Sequence, residues 1–344
     1  MARFLSFFVV FASIAMQFAS CSKPAEYRLC EGATWGTTYH ITYSSDRILD
    51  DSIRAVMSQV EMSLSPFADS SLISRINRGE EVKIDSMISR VFSASQEVNR
   101  LSNGAFDPTL APLINLWGFG YKNGTGDPTK AQIDSALALV GINECRITDG
   151  MIVKKNPATE FNFSAITKGY GCDLIGEMLQ RNGCENYMVE IGGEMALLGK
   201  NSRGEDWRVQ VDSPVASSDT VLHEQMMVIS LTDKGLATSG NYRNFRDTKK
   251  GRVGHTISAT TGQPVTTNTL SVTVIAENCM MADALATACM AMPLDEAKTM
   301  IEGIPTASAL FVVDDQSKAS AAPADTTATP TFVTIATSRF PKSL

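Results

Sequence analysis

The most constraining feature of this chain lies near its C-terminal end. Residues 279–292 (Cys-Met-Met-Ala-Asp-Ala-Leu-Ala-Thr-Ala-Cys-Met-Ala-Met) are apolar at almost every position. As a helix they have no face to offer water, so they must run through a core. Asn278 is placed to cap the start. The strongly polar side chains are Asp283 and Thr287, four residues apart and therefore stacked on one face. An unpaired buried carboxylate is costly, so Asp283 requires a cation or several hydrogen-bond donors. A carboxylate and a hydroxyl on one helical face suit a hard cation such as Mg²⁺. A private Asp–Thr or Asp–backbone hydrogen bond would satisfy the pair equally well.

Composition narrows the ligand class. Thirty Lys and Arg against 37 Asp and Glu give a net charge of −7, which argues against a nucleic-acid binder working through a basic face. Any anionic ligand must be held locally, by a metal, backbone amides or a few placed cations. Seven Cys without a CxxC pair, and three His, exclude a structural zinc site. Apolar residues make up 44% of 344, enough for a sizeable core.

The N-terminus reads as an address. Arg3 precedes an apolar run from Phe4 to Ala19, and Phe18-Ala19-Ser20 brings small residues up to Cys21. This is the secretory pattern, too short for a membrane span. Residues 1–20 are expected to be a signal peptide and Cys21 the lipidated N-terminus of an exported bacterial lipoprotein facing the periplasm. A membrane-anchored tether is expected over 21–32. Cys172, Cys279 and Cys289 sit in apolar helical contexts and are expected to be buried thiols.

The mature chain mixes helix and strand. Strands are expected at 37–43, 186–191, 207–211, 226–231, 270–276, 308–313 and 331–335, and helices at 46–64, 87–101, 130–140, 169–181 and 279–292. Thr238 to Arg243 reads as a polar turn. Residues 314–330, rich in Asp, Ser, Ala, Thr and Pro, read as a disordered insertion. No other linker separates two domains, so 33–344 is expected to be one α+β unit. Asn162 to Tyr170 leads into a helix whose amides, with Lys168 in the first turn, can cradle an anion. His255 follows Gly254, where a lone His is more often structural than catalytic. No Ser/His/Asp triad, Rossmann fingerprint or P-loop is present.

In order along the chain these segments form a series. It runs Trp35-Gly36-Thr37-Thr38-Tyr39, Ser65 to Asn77, Gly104-Ala105-Phe106-Asp107-Pro108-Thr109, Leu116-Trp117-Gly118-Phe119 and Ser164 to Asp173. It continues through Ile191-Gly192-Gly193-Glu194, Ala237 to Tyr242, His255-Thr256-Ile257, Thr261-Gly262 and Ala282 to Thr287. The series resembles the FAD:protein FMN transferase (ApbE-like) family over about residues 33–313, many of whose members are exported lipoproteins. The resemblance implies largely antiparallel sheets packed by helices, related to the T-fold. It implies Mg²⁺-dependent transfer of FMN from FAD to a Thr or Ser hydroxyl of an acceptor flavoprotein, such as a redox pump subunit or a reductase, with release of AMP. It also implies Mg²⁺ held by Asp283, Thr287 and the Ala165 carbonyl, and His255 as the catalytic candidate. FAD contacts are implied at Trp35, Phe67, Ala105, Phe106, Asp107, Asn162, Lys168 and Ile257, with Trp35, Phe67 and Phe106 as flat partners for its rings. Two other readings remain open at this point: an FAD pyrophosphatase, and a non-catalytic flavin-binding lipoprotein. Three departures from the family pattern stand out. Trp35 replaces a usual Met, Ser258 stands where the pattern after the His has Asp, and some relatives carry Glu at the position of Lys168.

Overall fold

A computed structural model describes residues 26–122, 124, 127–213, 225–240, 245–248, 251–315 and 332–344. In chain order the strands begin with β1 (Tyr27–Thr34), β2 (Thr37–Ser44), β3 (Cys145–Thr148) and β4 (Met151–Lys154). They continue with β5 (Tyr187–Ile191), β6 (Glu194–Leu198), β7 (Trp207–Asp212), β8 (Gln225–Leu231) and β9 (Lys234–Gly240). The last are β10 (Phe245–Thr248), β11 (Gly251–Gly254), β12 (Thr269–Ala276), β13 (Ser308–Asp314) and β14 (Phe332–Ala336). The helices are α1 (Asp50–Leu64), α2 (Leu72–Asn77), α3 (Ser86–Leu101) and α4 (Ala111–Leu116). They are followed by α5 (Lys130–Leu137), α6 (Ser164–Arg181), α7 (Cys279–Met290) and α8 (Leu294–Glu302).

Eight strands form one sheet in the order β1-β2-β5-β6-β9-β12-β13-β14, every neighbouring pair antiparallel. Spatial order follows chain order. The other six strands pair as three two-stranded ribbons, β3–β4, β7–β8 and β10–β11.

Side-chain alternation decides what each face of the sheet covers. Ala237, Val272, Val274 and Phe311 join the helix-side core with Val91, Phe163 and Leu285. Their neighbours Leu236, Ile275 and Leu310 point the other way, against Trp207, Val209 and Ile229 of the β7–β8 ribbon. With both faces covered, β12 and β13 are buried along nearly their whole length, which is why β13 reads as a continuous apolar run.

Helices α6 and α7 pack against each other and against the middle of the sheet. Glycine permits this closeness at two points. A Cβ on Gly169 would lie 2.3 Å from the Cys279 carbonyl oxygen, and one on Gly235 would lie 2.1 Å from the Cys279 nitrogen. As expected, Asn278 caps α7, its side chain accepting the Met281 N–H at 2.9 Å. Asp173 of α6 adds a second cap, taking the Cys279 and Met280 amides at 2.9 and 2.8 Å.

Several expectations shift. Tyr27–Thr34, read largely as tether, is the edge strand β1, paired in register with β2. Thr238, Ser239 and Gly240, read as a polar turn, close the interior strand β9, which lies between β6 and β12. Residues 241–244, the rest of that turn, lie outside the described residues. Helix α6 starts at Ser164, earlier than the apolar spacing suggested, because the Asn162 side chain accepts the Ser164 N–H and the Phe163 carbonyl takes the Ile166 and Thr167 amides. All six described cysteines are buried and free, including Cys172, Cys279 and Cys289. Residues 1–25, with Cys21, and 316–331 lie outside the described residues.

Candidate active site

The site is built from the α6–α7 crossing upward. Asp283 is 3% exposed, and its Oδ2 accepts the Gly169 N–H at 2.9 Å, from a residue 114 positions away. In a regular helix that amide would serve the Ala165 carbonyl, one turn earlier. Asp283 therefore meets α6 at the amide one turn along from Ala165. Gly169 makes the approach possible, since a Cβ there would sit 2.8 Å from the Asp283 Cβ. One turn along α7, the Thr287 hydroxyl lies 3.3 Å from the Ser239 hydroxyl of β9.

Charge at this floor is denser than the sequence suggested. Glu194, at the start of β6 and 3% exposed, sets its carboxylate 2.5 Å from the Lys168 ammonium. Burial raises the pKa of both Asp283 and Glu194, and in each case Lys168 opposes the rise. Burial pulls Lys168 down, but Glu194 and Asp283 outweigh it and hold the ammonium charged. In the sequence Glu194 ends the Ile191-Gly192-Gly193 turn segment and is not among the site residues that the resemblance implies. The Cys172 thiol, one turn beyond Lys168, reaches the Glu194 carbonyl at 3.3 Å and holds this end of β6 on α6.

A buried carboxylate, a hydroxyl and a helix-start carbonyl make an all-oxygen set that fits Mg²⁺. A cation there would give Asp283 a further partner beside the Gly169 amide. Among the described residues no three His, Cys, Asp or Glu side chains gather as a metal-binding group, so an ion here would rest on one carboxylate and neutral oxygens.

The remaining residues implied as FAD contacts lie on loops, turns and short segments outside α7. Asn162 N–H donates to the Pro108 carbonyl at 2.7 Å, tying the 105–109 loop to the start of α6. Two members of that loop hold structural positions. Phe106 is 3% exposed and packed in the main core, so its ring backs the site and presents no platform to a flavin or adenine. The Asp107 carboxylate accepts the Thr109 amide and hydroxyl at 2.8 and 2.5 Å and the Ile142 amide at 3.0 Å. Those bonds use the carboxylate as a cap. Ala105 is half-buried beside it. Trp35 occupies the tight β1–β2 turn with φ +49°, an uncommon conformation for a bulky residue. Its ring lies over Gly171 of α6, where a Cβ would be 2.5 Å from it.

The rim is aromatic. Phe67 is 63% exposed and meets Tyr121 edge-on at 6.1 Å between ring centres. The Tyr121 hydroxyl donates to Glu160 and accepts from Asn77, whose amide also exchanges hydrogen bonds with the Phe161 backbone. His255 meets Phe119 edge-on at 6.3 Å. Ile257 points into a small core with Leu113 and Trp117, so its side chain is an anchor for the His255 turn. Ser258, standing where the family pattern has Asp, accepts the Thr260 and Thr261 amides at 3.2 Å each. That is a turn-capping duty a carboxylate would also perform.

A buried acid and a hydroxyl on α7, an α6 amide bonded to that acid, and the aromatic pairs Phe67–Tyr121 and Phe119–His255 lie on segments between Trp35 and Phe311. Residues 35–311 match the family model described as the ApbE family. The chain belongs to the ApbE family. The FAD:protein FMN transferase of Vibrio cholerae is 36% identical over 294 residues, covering 83% of this chain and 86% of that protein. The FAD:protein FMN transferase of Haemophilus influenzae is 31% identical, covering 86% and 89%. Among solved structures, the flavin transferase ApbE from Vibrio cholerae superposes with a TM-score of 0.77 at 32% identity, over 92% of this chain and 98% of that one. The apo flavinyl transferase ApbE of Pseudomonas stutzeri gives 0.78 at 30% identity, over 91% and 95%. These ApbE structures share the mixed α+β architecture, with its large antiparallel sheet.

Proposed function

We propose that this chain is a transferase that moves FMN from FAD to a Thr or Ser hydroxyl of an acceptor flavoprotein, with Mg²⁺, releasing AMP. One observation carries the reading: Asp283 is buried on an otherwise apolar helix, facing the α6 start, with Thr287 one turn away. That corner already gives the carboxylate the Gly169 amide and the charge of Lys168. It supplies what a pyrophosphate-splitting site in an acidic protein requires, an anchor for a divalent cation beside a helix N-terminus.

In the reaction the acceptor hydroxyl oxygen bonds to the phosphorus on the FMN side of the pyrophosphate. The bond from that phosphorus to the bridging oxygen breaks, AMP leaves with the electron pair, and the hydroxyl proton passes to a base. Mg²⁺ held by Asp283, Thr287 and the Ala165 carbonyl would supply charge neutralisation for the phosphates. The Ser164, Ile166 and Thr167 amides are taken by Asn162 and Phe163, so α6 would favour the same anion through its dipole, and the half-buried Lys168 adds a cation beside it. Phe67 and Trp35 offer apolar faces to the rings of FAD. His255 is the candidate to orient or deprotonate the acceptor hydroxyl.

The test is incubation with FAD, Mg²⁺ and a Thr-bearing acceptor flavoprotein. Flavin bound covalently to the acceptor, with one AMP per flavin, supports transfer. Free FMN with an unmodified acceptor would make the chain an FAD pyrophosphatase, and unchanged FAD a flavin-binding lipoprotein.

The proposal extends to location, with Cys21 the lipidated residue of an exported, membrane-anchored protein. Among the described residues no helix is long and apolar enough to cross a membrane, so on this reading attachment rests on the lipid. Cys21→Ala should abolish labelling by a fatty-acid probe, and unchanged labelling would refute the anchor.

A further inference from the structure

The floor of the site holds one more charge pair than a metal site needs. Asp283 and Glu194 come from different elements, α7 and β6, and both are buried. Lys168 is the cation between them: its ammonium is 2.5 Å from Glu194, and the next residue, Gly169, donates its amide to Asp283. Two carboxylates and one ammonium leave a single net negative charge in a low-dielectric interior, where such interactions are strong. A Lys beside a metal carboxylate presents a difficulty, because it competes with the metal for the same oxygen atoms. In this structure its short contact is with Glu194.

We propose that Lys168 is a resident counter-ion for the metal-free enzyme, and that Glu194 is a positioning residue that holds this ammonium off Asp283 so that a divalent cation can take the carboxylate. The inference rests on Asp283 being the metal anchor. Before metal binds, Lys168 keeps the buried pair from being two uncompensated charges. When Mg²⁺ binds at Asp283, Lys168 stays on Glu194, and the floor changes from net negative to net positive as the pyrophosphate arrives. Glu194 acts entirely through where it keeps Lys168. Its removal should leave the ammonium with one carboxylate to serve, the one the metal needs.

The test is calorimetric Mg²⁺ affinity together with melting temperature, measured on full-length protein without FAD. Glu194→Gln should weaken Mg²⁺ binding by about tenfold or more, since Lys168 then competes for Asp283, and Glu194→Asp should restore much of it. Lys168→Met should melt lower without metal, bind Mg²⁺ more tightly than the parent, and recover stability as Mg²⁺ is added. In the double variant, which buries one carboxylate fewer and so guards against a failure of Lys168→Met to fold, the loss caused by Glu194→Gln should largely vanish. Equal loss from Glu194→Gln with and without Lys168 would overturn the proposal, as would Mg²⁺ binding no tighter in Lys168→Met than in the parent. Asp283→Asn separates the two levels. If it binds Mg²⁺ like the parent, the metal anchor itself is misassigned and both readings fall; if it loses Mg²⁺ while the Lys168 and Glu194 effects are missing, only this inference falls.

Discussion

The floor and the rim of the site are built on opposite principles. The floor is two helices and two strands in contact at glycine, with Asp283 and Glu194 buried, Asp173 half-buried, and each held by a named partner. The rim is Phe67, largely exposed, and His255, half-buried, each touching an aromatic of one short segment, Tyr121 and Phe119. A floor of fixed oxygen atoms suits a small ion with strict geometry, where displacement of a fraction of an ångström matters. A rim of exposed rings suits partners of variable shape, a flavin and then a protein loop. Floor substitutions should therefore change stability and metal binding together, and rim substitutions should change transfer while leaving both alone.

His255→Ala is the strongest break of this comparison on the rim side. It should lower FMN transfer by about 10²–10⁴-fold, the range for loss of a general base, with Mg²⁺ affinity and melting temperature at parental values. Transfer at the parental rate would make His255 a loop residue. Gly169→Ala comes next. The added methyl would press on the Cys279 carbonyl and the Asp283 Cβ, backbone and short side chain that cannot swing away. A loss of about 1–3 kcal/mol is expected, with weaker Mg²⁺ binding because Asp283 is pushed off the α6 start. Denaturant unfolding checks the first and calorimetry the second.

Asp173 provides a pH signature for the floor. Burial pushes its carboxyl up to about 7, although the Cys279 and Met280 amides work against the rise. The folded protein therefore holds a proton that the unfolded chain, with an ordinary Asp, releases near pH 4. Stability from this group is full below about pH 4 and is lost as the pH rises to about 7. Asp173→Asn should flatten the melting temperature across that window, and an unchanged slope would show that the two amides dominate. Phe67→Ala should have the smallest effect on the fold, within about 0.5 kcal/mol for an exposed side chain, while weakening FAD binding. A large loss of stability would show that Phe67 is a packing residue and would blur the distinction between floor and rim.

How much of this was legible in the sequence depended on whether a residue's reason was local. Asp283 could be read because a lone acid in an all-apolar helix has no cheap explanation, and Asn278 because capping is set by its neighbours. The strands at 37–44, 187–191 and 269–276 followed from alternation or continuous apolar character. Strand β9 did not: Gly235 and Gly240 with Thr238 and Ser239 look like turn chemistry, and the strand exists because β6 and β12 flank it and α7 needs Gly235 at its start. Glu194 was hidden for a related reason. A carboxylate after two turn glycines suggests a surface, and only the packing of β6 on α6 takes it inside beside Lys168. Phe106 and Asp107 come from the resemblance, which marks a loop without saying whether side chain or backbone would face a ligand. In the structure the ring is core and the carboxylate is a cap.

The most direct measurement is FMN transfer rate against Mg²⁺ concentration for the parent, Asp283→Asn, Thr287→Val and the double variant. Asp283→Asn should fold, since a neutral amide is cheaper to bury than an unpaired carboxylate, and should lose Mg²⁺-dependent transfer. Thr287→Val should shift the Mg²⁺ dependence in the same direction but less, because a hydroxyl is a neutral ligand that water can replace. The two effects should be less than additive, since both act through one ion. A folded Asp283→Asn variant that keeps the parental Mg²⁺ dependence would contradict the assignment and move the metal away from the α6–α7 floor.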